Sequence, residues 1–130
     1  MKISSLNCTL NENNGIALVE VSAPLTQEDF KILSQIIDPY IEKNGQLNGI
    51  IIHTKKFPGW KNLNSFFSHI KFIKNHHRKI VKLAAVADGI MANFMPALAN
   101  YFVKAQVKHF AYDQLEEAKK WVNPTYSYQY

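Results

Sequence analysis

The sequence predicts one α/β domain with a mixed, mostly parallel sheet in the element order ββαβαβαβα. Three observations carry that expectation. The chain has 130 residues, 47% hydrophobic and 19% charged, the size and balance of a single globular domain rather than of a disordered or collagen-like chain. Its first apolar runs flank an Asn-Gly turn, the mark of a hairpin. Beyond it, runs of strand length alternate with segments of helical period, and such alternation joins parallel strands through right-handed crossovers.

The elements follow in order. Residues 2–10 and 16–22 are rich in β-branched and aliphatic side chains and are joined by Asn11–Gly15, whose Asn-Gly ending favours positive φ. Pro24 ends the second strand. Thr26 is placed to cap a helix with Asp29 at its third position, and Leu25 to staple onto Phe30. Phe30, Leu33, Ile37, Tyr40 and Ile41 recur at helical spacing. Pro39 lacks the N–H that a helix interior needs, so a kink or restart is expected before Gly45. Residues 47–53 form a nearly unbroken apolar run, which suits a strand covered on both faces, and a loop is expected from Thr54 to Lys61. Leu63, Phe66, Phe67, Ile70, Ile73 and His77 mark one face of the next helix. Residues 80–87 are a second covered strand, and Asp88-Gly89 is a turn. Asn93 is placed to cap a helix reaching about Lys104, with Pro96 in its first turn. Residues 106–111 are the last strand. The final helix is expected to start from an Asp113 cap with Glu116 reaching back, to bury Leu115, Ala118 and Val122, and to stop at Asn123-Pro124. The domain is thus expected over residues 1–124, with a short Tyr-rich tail over 125–130.

Composition narrows the function classes. The amino terminus has no apolar run of the kind that opens a secretory signal, and no stretch reaches the ~20 apolar residues that span a bilayer. A soluble, cytoplasmic protein is expected, at most peripheral to the inner face of a membrane. The single Cys8 cannot form an intramolecular bridge. Fifteen Lys and Arg against ten Asp and Glu give a net charge of +5, a mild excess that suits phosphates or simply keeps a surface solvated.

The segments LTQEDFKILSQIIDPYIEKNG, LNGIIIHTKKFPGW, RKIVKLAAVADG and AQVKHFAYDQLEEAKKWV resemble the SpoIIAA-like family, of the STAS and CRAL-TRIO-like group of folds. The resemblance spans about residues 3–122. It rests on the element pattern with Trp60, the basic stretch before Ile80, Phe110, and Glu117-Ala118 with Trp121. Relatives in the anti-sigma-factor antagonist branch carry a phosphorylatable serine in an Asp-Ser-Ser-Gly turn after the central strand. The corresponding stretch here, Lys56–Trp60, has no hydroxyl; Thr54 lies nearer the strand and Ser65 further on. The resemblance therefore implies the behaviour of the other branch, which is binding of apolar or lipid-like ligands and association with membrane surfaces.

Open α/β sheets bind ligands beyond the carboxyl ends of their parallel strands. Two stretches fall there. One holds His53, Lys55, Lys56, Phe57, Trp60 and Lys61, and the other holds Asp88, Ile90, Met91, Phe94 and Met95. Lysines among aromatics suit anionic headgroups at a membrane interface; the plainer alternative is that Phe57 and Trp60 plug the end of the core. From Gly89 to Val103 no residue is charged, so that segment is expected to pack on the sheet, to be covered by a partner, or to form a Met-lined lid over an apolar pocket. His69 and His76 lack the spacing by which one helix chelates, so no metal is expected. No cofactor is expected, and no Ser/His/Asp set, carboxylate pair or Gly-rich phosphate loop stands out.

The leading expectation is a non-enzymatic binding module for a lipid-like or apolar small molecule, with His53, Phe57, Trp60, Asp88, Met91, Phe94, Met95 and Leu98 at the ligand and Lys55, Lys56 and Lys61 at anions or a membrane. The second is a STAS-type protein-interaction module without the phosphorylatable serine, using the exposed part of the Gly89–Val103 segment against a partner or its own copy as a homodimer. A small enzyme using His53 and Asp88 ranks third. Nucleic-acid binding ranks last, because the cations form no stacking platform or recognition helix.

Overall fold

The computed structural model describes residues 6–22, 27–56, 79–88 and 105–124. They form a five-stranded sheet in the order β1-β2-β3-β4-β5. The elements are β1 Leu6–Asn11, β2 Ile16–Val21, α1 Gln27–Asn44, β3 Leu47–Lys56, β4 Ile80–Asp88, β5 Gln106–Phe110 and α2 Leu115–Val122. β1 and β2 are antiparallel, and every later pairing is parallel. The mixed, mostly parallel α/β architecture read from the sequence is the one found.

The hairpin closes as its Asn-Gly ending requires. Gly15 sits at φ +70°, its amide donates to the Asn11 carbonyl at 2.9 Å, and the Asn13 amide donates to the Asn11 side chain at 3.0 Å. The Gly15 carbonyl then accepts from the Asn48 and Gly49 amides at 2.9 and 3.1 Å. The turn thereby anchors the amino end of β3.

Of the kink or restart expected at Pro39, the restart does not occur. The helix runs unbroken from Gln27 to Asn44 with Pro39 inside it. Proline removes one hydrogen bond, but Pro39 lies on the exposed side while Leu33, Ile37 and Ile41 on the other are buried against the sheet. Burying side chains of this size contributes roughly 1.5–3 kcal/mol each, which outweighs the local break. Gly45, at φ +88°, ends the helix with its amide on the Ile41 carbonyl at 2.6 Å. The Thr26 cap, the Leu25–Phe30 staple and Pro24 lie outside the described residues, as do residues 2–5.

The sheet is covered on both faces. Ala17, Val19, Ile50, Leu83 and Ala85 join α1 in one core; Ile16, Ile51, Ala84, Val86 and Phe110 join Ala118 and Val122 of α2 in the other. Adjacent residues of β4 thus feed opposite cores, which is why residues 80–87 read as a continuous apolar run. α2 approaches β3 closely: a Cβ on Gly49 would stand 2.8 Å from the Val122 Cβ.

Two further boundaries are corrected. β3 continues to Lys56 where a loop from Thr54 was expected, because Thr54 is buried, with polar partners of its own, and Lys56 still pairs with Asp88 after a register shift. α2 starts from Gln114, not Asp113, and has no side-chain cap. The Gln114 carboxamide accepts from the Ala111 amide at 2.8 Å while the Gln114 amide donates to the Ala111 carbonyl at 2.9 Å. That reciprocal turn fixes the helix start one residue beyond Asp113. Glu116 does not reach back, and it meets Lys119 at 3.4 Å instead. The expected helices over residues 63–77 and 93–104 and the tail over 125–130 lie outside the described residues.

Candidate functional site

Parallel register brings one row of residues together toward the carboxyl edge of the sheet, polar at β2 and β3 and apolar at β4 and β5. Glu20 of β2 pairs with His53 of β3, His53 with Val86 of β4, and Val86 with Phe110 of β5. One step further out stand Asp88, the last residue of β4, and Tyr112, in the turn between β5 and α2.

His53 is the hub. Its side chain is only 10% exposed. Nδ1 lies 3.4 Å from a carboxylate oxygen of Glu20, and Nε2 lies 3.1 Å from the Tyr112 carbonyl. The ring stacks on the Tyr112 ring, with centroids 4.4 Å apart and planes 14° from parallel. Asp88 completes the arrangement by accepting the Tyr112 amide hydrogen at 3.0 Å. Tyr112 is thus held at its amide, its carbonyl and its ring, yet it is the exposed large hydrophobic side chain among the described residues, at 36%.

This geometry limits the chemistry. A carboxylate on Nδ1 is how enzymes orient a catalytic imidazole, but Nε2, which would have to reach a substrate, is engaged by a backbone carbonyl. Both partners are acceptors, so a neutral ring with one N–H serves one of them at a time and only the imidazolium donates to both. His53 here ties the ends of β2 and β3 to the turn after β5, and Asp88 of β4 joins them through Tyr112. His109 is likewise occupied, with Nε2 2.8 Å from the Ala87 carbonyl. Among the described residues no group of His, Cys, Asp and Glu is arranged to hold a metal ion.

Of the residues singled out in the sequence, the structure brings His53 and Asp88 together through Tyr112. Lys55 is exposed near the end of β3, and the Lys56 backbone pairs with Asp88. Phe57, Trp60, Lys61, Ile90, Met91, Phe94, Met95, Leu98 and the side chain of Lys56 lie outside the described residues. Sequence reasoning missed Glu20 and Tyr112. Their signal is positional: Glu20 is the one charged residue of β2, and Tyr112 follows β5 closely, so both fall on the edge once parallel register is laid out.

Behind this edge, α2 is tied to the sheet by aromatic and cationic contacts. Phe110 and Trp121 pack with centroids 5.9 Å apart. The Lys82 ammonium donates to the Trp121 carbonyl at 2.9 Å and lies 5.2 Å from the centre of its ring. Phe110, Ala118 and Trp121, residues on which the family resemblance rests, therefore meet in the α2-side core.

Comparison with known proteins agrees with that pattern. A family model described as SpoIIAA-like matches residues 16–123. Neither the curated proteins nor the solved structures give a match.

Proposed function

The chain belongs to the SpoIIAA-like family, and from that premise we propose that it is a non-enzymatic, STAS-type interaction module that presents the carboxyl edge of its sheet to a protein partner. One observation carries the reading. Tyr112 is exposed and is held at its amide, carbonyl and ring by Asp88 and His53. A rigid, amphipathic aromatic loses little conformational freedom on binding, which is why such residues dominate interface energetics. Glu20, 48% exposed, and Asp88 flank it with negative charge. Among the described residues no helix is long and apolar enough to cross a membrane, and the proposed setting is the cytoplasm.

A second reading has its own observation. Lys56 and Asp88 are register partners, so residues 57–61 and the uncharged stretch 89–103 follow directly from neighbouring strand ends. Phe57, Trp60, Met91, Phe94, Met95 and Leu98 belong to those stretches, and an apolar or lipid-like ligand at the same edge is the alternative, with Lys55, Lys56 and Lys61 toward anionic headgroups.

The test separates them. A photoreactive benzophenone amino acid is placed at position 112 and, as control, at position 12 in the hairpin turn, and the protein is irradiated in its native cells. A discrete protein adduct from position 112, absent from position 12 and lost in Asp88→Ala, supports the interaction module. No position-specific adduct, together with a lipid retained through purification and seen by native mass spectrometry, overturns it in favour of the ligand reading.

A further inference from the structure

The two edges of the sheet are unlike. At β5, Gln106 and His109 are exposed together with Lys108, and a lysine on an edge strand discourages strand addition. β1 has no such protection. Its sequence, LNCTLN, contains neither a charged residue nor a proline, and it is the terminal strand of the sheet, unpaired on its outer side among the described residues. Asn7, Thr9 and Asn11 are exposed. Cys8 and Leu10 point the other way, against the α1-side core, and like Ile32 of α1 they are only partly buried. Among the described residues the apolar layer is therefore unfinished beside this edge.

We propose that β1 is a self-association edge, pairing antiparallel with β1 of a second copy about Cys8. The backbone of an open strand calls for another strand, and the side-chain pattern selects this one. Residues opposite one another across an antiparallel pair point to the same face, so register matters by single residues. With Cys8 across from Cys8 of the second copy, Asn7 stands across from Thr9. Polar residues then meet on one face, and the α1-side layer continues from one copy into the next, covering Cys8, Leu10 and Ile32. A slip of one residue would set Cys8 against Thr9 and break both layers. The pairing is two-fold and isologous, so it closes and leaves only the lysine-guarded β5 edges outward. A ladder of this length lies at the small end of specific interfaces, and the dimer forms as concentration rises. It is independent of the carboxyl-edge reading, since neither Tyr112 nor His53 takes part.

The experiment is sedimentation equilibrium on the full chain over a concentration series, with Thr9→Lys and Thr9→Glu, whose exposed position spares the monomer; unchanged circular dichroism confirms that. Each variant alone should dimerise several-fold more weakly than the parent, because two like charges are set diagonally across the seam. An equimolar mixture of the two should recover association. A monomer at every concentration, or a dimer indifferent to both variants, overturns the proposal. Register is read in a Cys8→Ser background: Asn7→Cys mixed with Thr9→Cys should cross-link under mild oxidation in preference to either alone, and the opposite preference overturns the Cys8-centred pairing.

Discussion

The ring of His53 lies flat on the ring of Tyr112, 4.4 Å between centroids, while its Nε2 holds the carbonyl of that same residue. One imidazole therefore fixes both the backbone and the side chain of an exposed aromatic. Tyr112→Ala removes the ring but keeps the backbone bonds to His53 and Asp88. Since the ring is partly exposed, we expect a stability loss of about 1 kcal/mol or less, in the range of an aromatic pair, with loss of the partner adduct formed from a photoreactive group at position 20. Denaturant unfolding and cross-linking check the two halves. A core-sized stability loss would make Tyr112 a packing residue.

The close approach of α2 to β3 gives a sharper prediction. A side chain at position 49 collides with Val122, so Gly49→Val should destabilise by about 1–3 kcal/mol through overpacking. Val122→Ala alone should also destabilise, because it opens a cavity beside a buried residue. The double variant should recover part of the summed loss, because alanine removes the two Cγ atoms that stand 3.4 Å from the added Cβ while keeping the Val122 Cβ. A double-mutant cycle in urea measures the coupling, and strict additivity would contradict the contact.

Burial pushes the Cys8 thiol from 9.0 up to about 11. The folded state holds this proton more tightly than the unfolded chain, so its contribution is intact below about pH 9 and is lost as pH rises toward 11. The stability difference between parent and Cys8→Ala should therefore shrink across that window, as read by urea unfolding at matched pH. At pH 8 alkylation by iodoacetamide should be slower in the folded protein than in urea. Equal rates would show the thiol to be open.

If residues 55–61 meet anionic headgroups, replacing Lys55, Lys56 and Lys61 together by Ser should weaken binding to anionic vesicles by about 1 kcal/mol per lysine at low salt. A vesicle sedimentation assay reads this directly. Equal binding by parent and variant would remove the membrane surface from the second reading.

Much of the fold was legible because periodicity and burial coincide. Residues 80–87 feed two cores and read as an unbroken apolar run, and Leu33, Ile37 and Ile41 repeat at helical spacing because one face of α1 is buried. The misreadings have a common cause in local rules overridden by tertiary contacts. Thr54 looked like the start of a loop because it is polar, yet it is buried within β3. Asp113 is a good cap by type, but the Ala111–Gln114 turn sets the start of α2. The candidate site was half legible for the same reason. His53 and Asp88 end apolar runs and so stand out, whereas Glu20 and Tyr112 gain their meaning only from register across strands.

Pro39 offers the clearest test of how tertiary packing overrides local preference. It lies within α1, exposed, with buried Ile37 and Ile41 on either side in sequence. In a helix interior proline costs about 3 kcal/mol relative to alanine, through its missing N–H and the clash with the carbonyl four residues back. Pro39→Ala would return an amide to the Gln35 carbonyl without touching the core. Part of the gain is offset, because proline also restricts the unfolded chain, an effect of about 0.4–1 kcal/mol in the opposite direction. The net expectation is stabilisation by roughly 1–2 kcal/mol on those two magnitudes, visible as a higher urea midpoint at unchanged slope. Hydrogen exchange should locate it, with amides of residues 35–43 more protected in the variant than in the parent. A variant no more stable than the parent would mean that α1 is already adapted to its proline, with the cost removed by local geometry rather than outweighed by the burial of Leu33, Ile37 and Ile41.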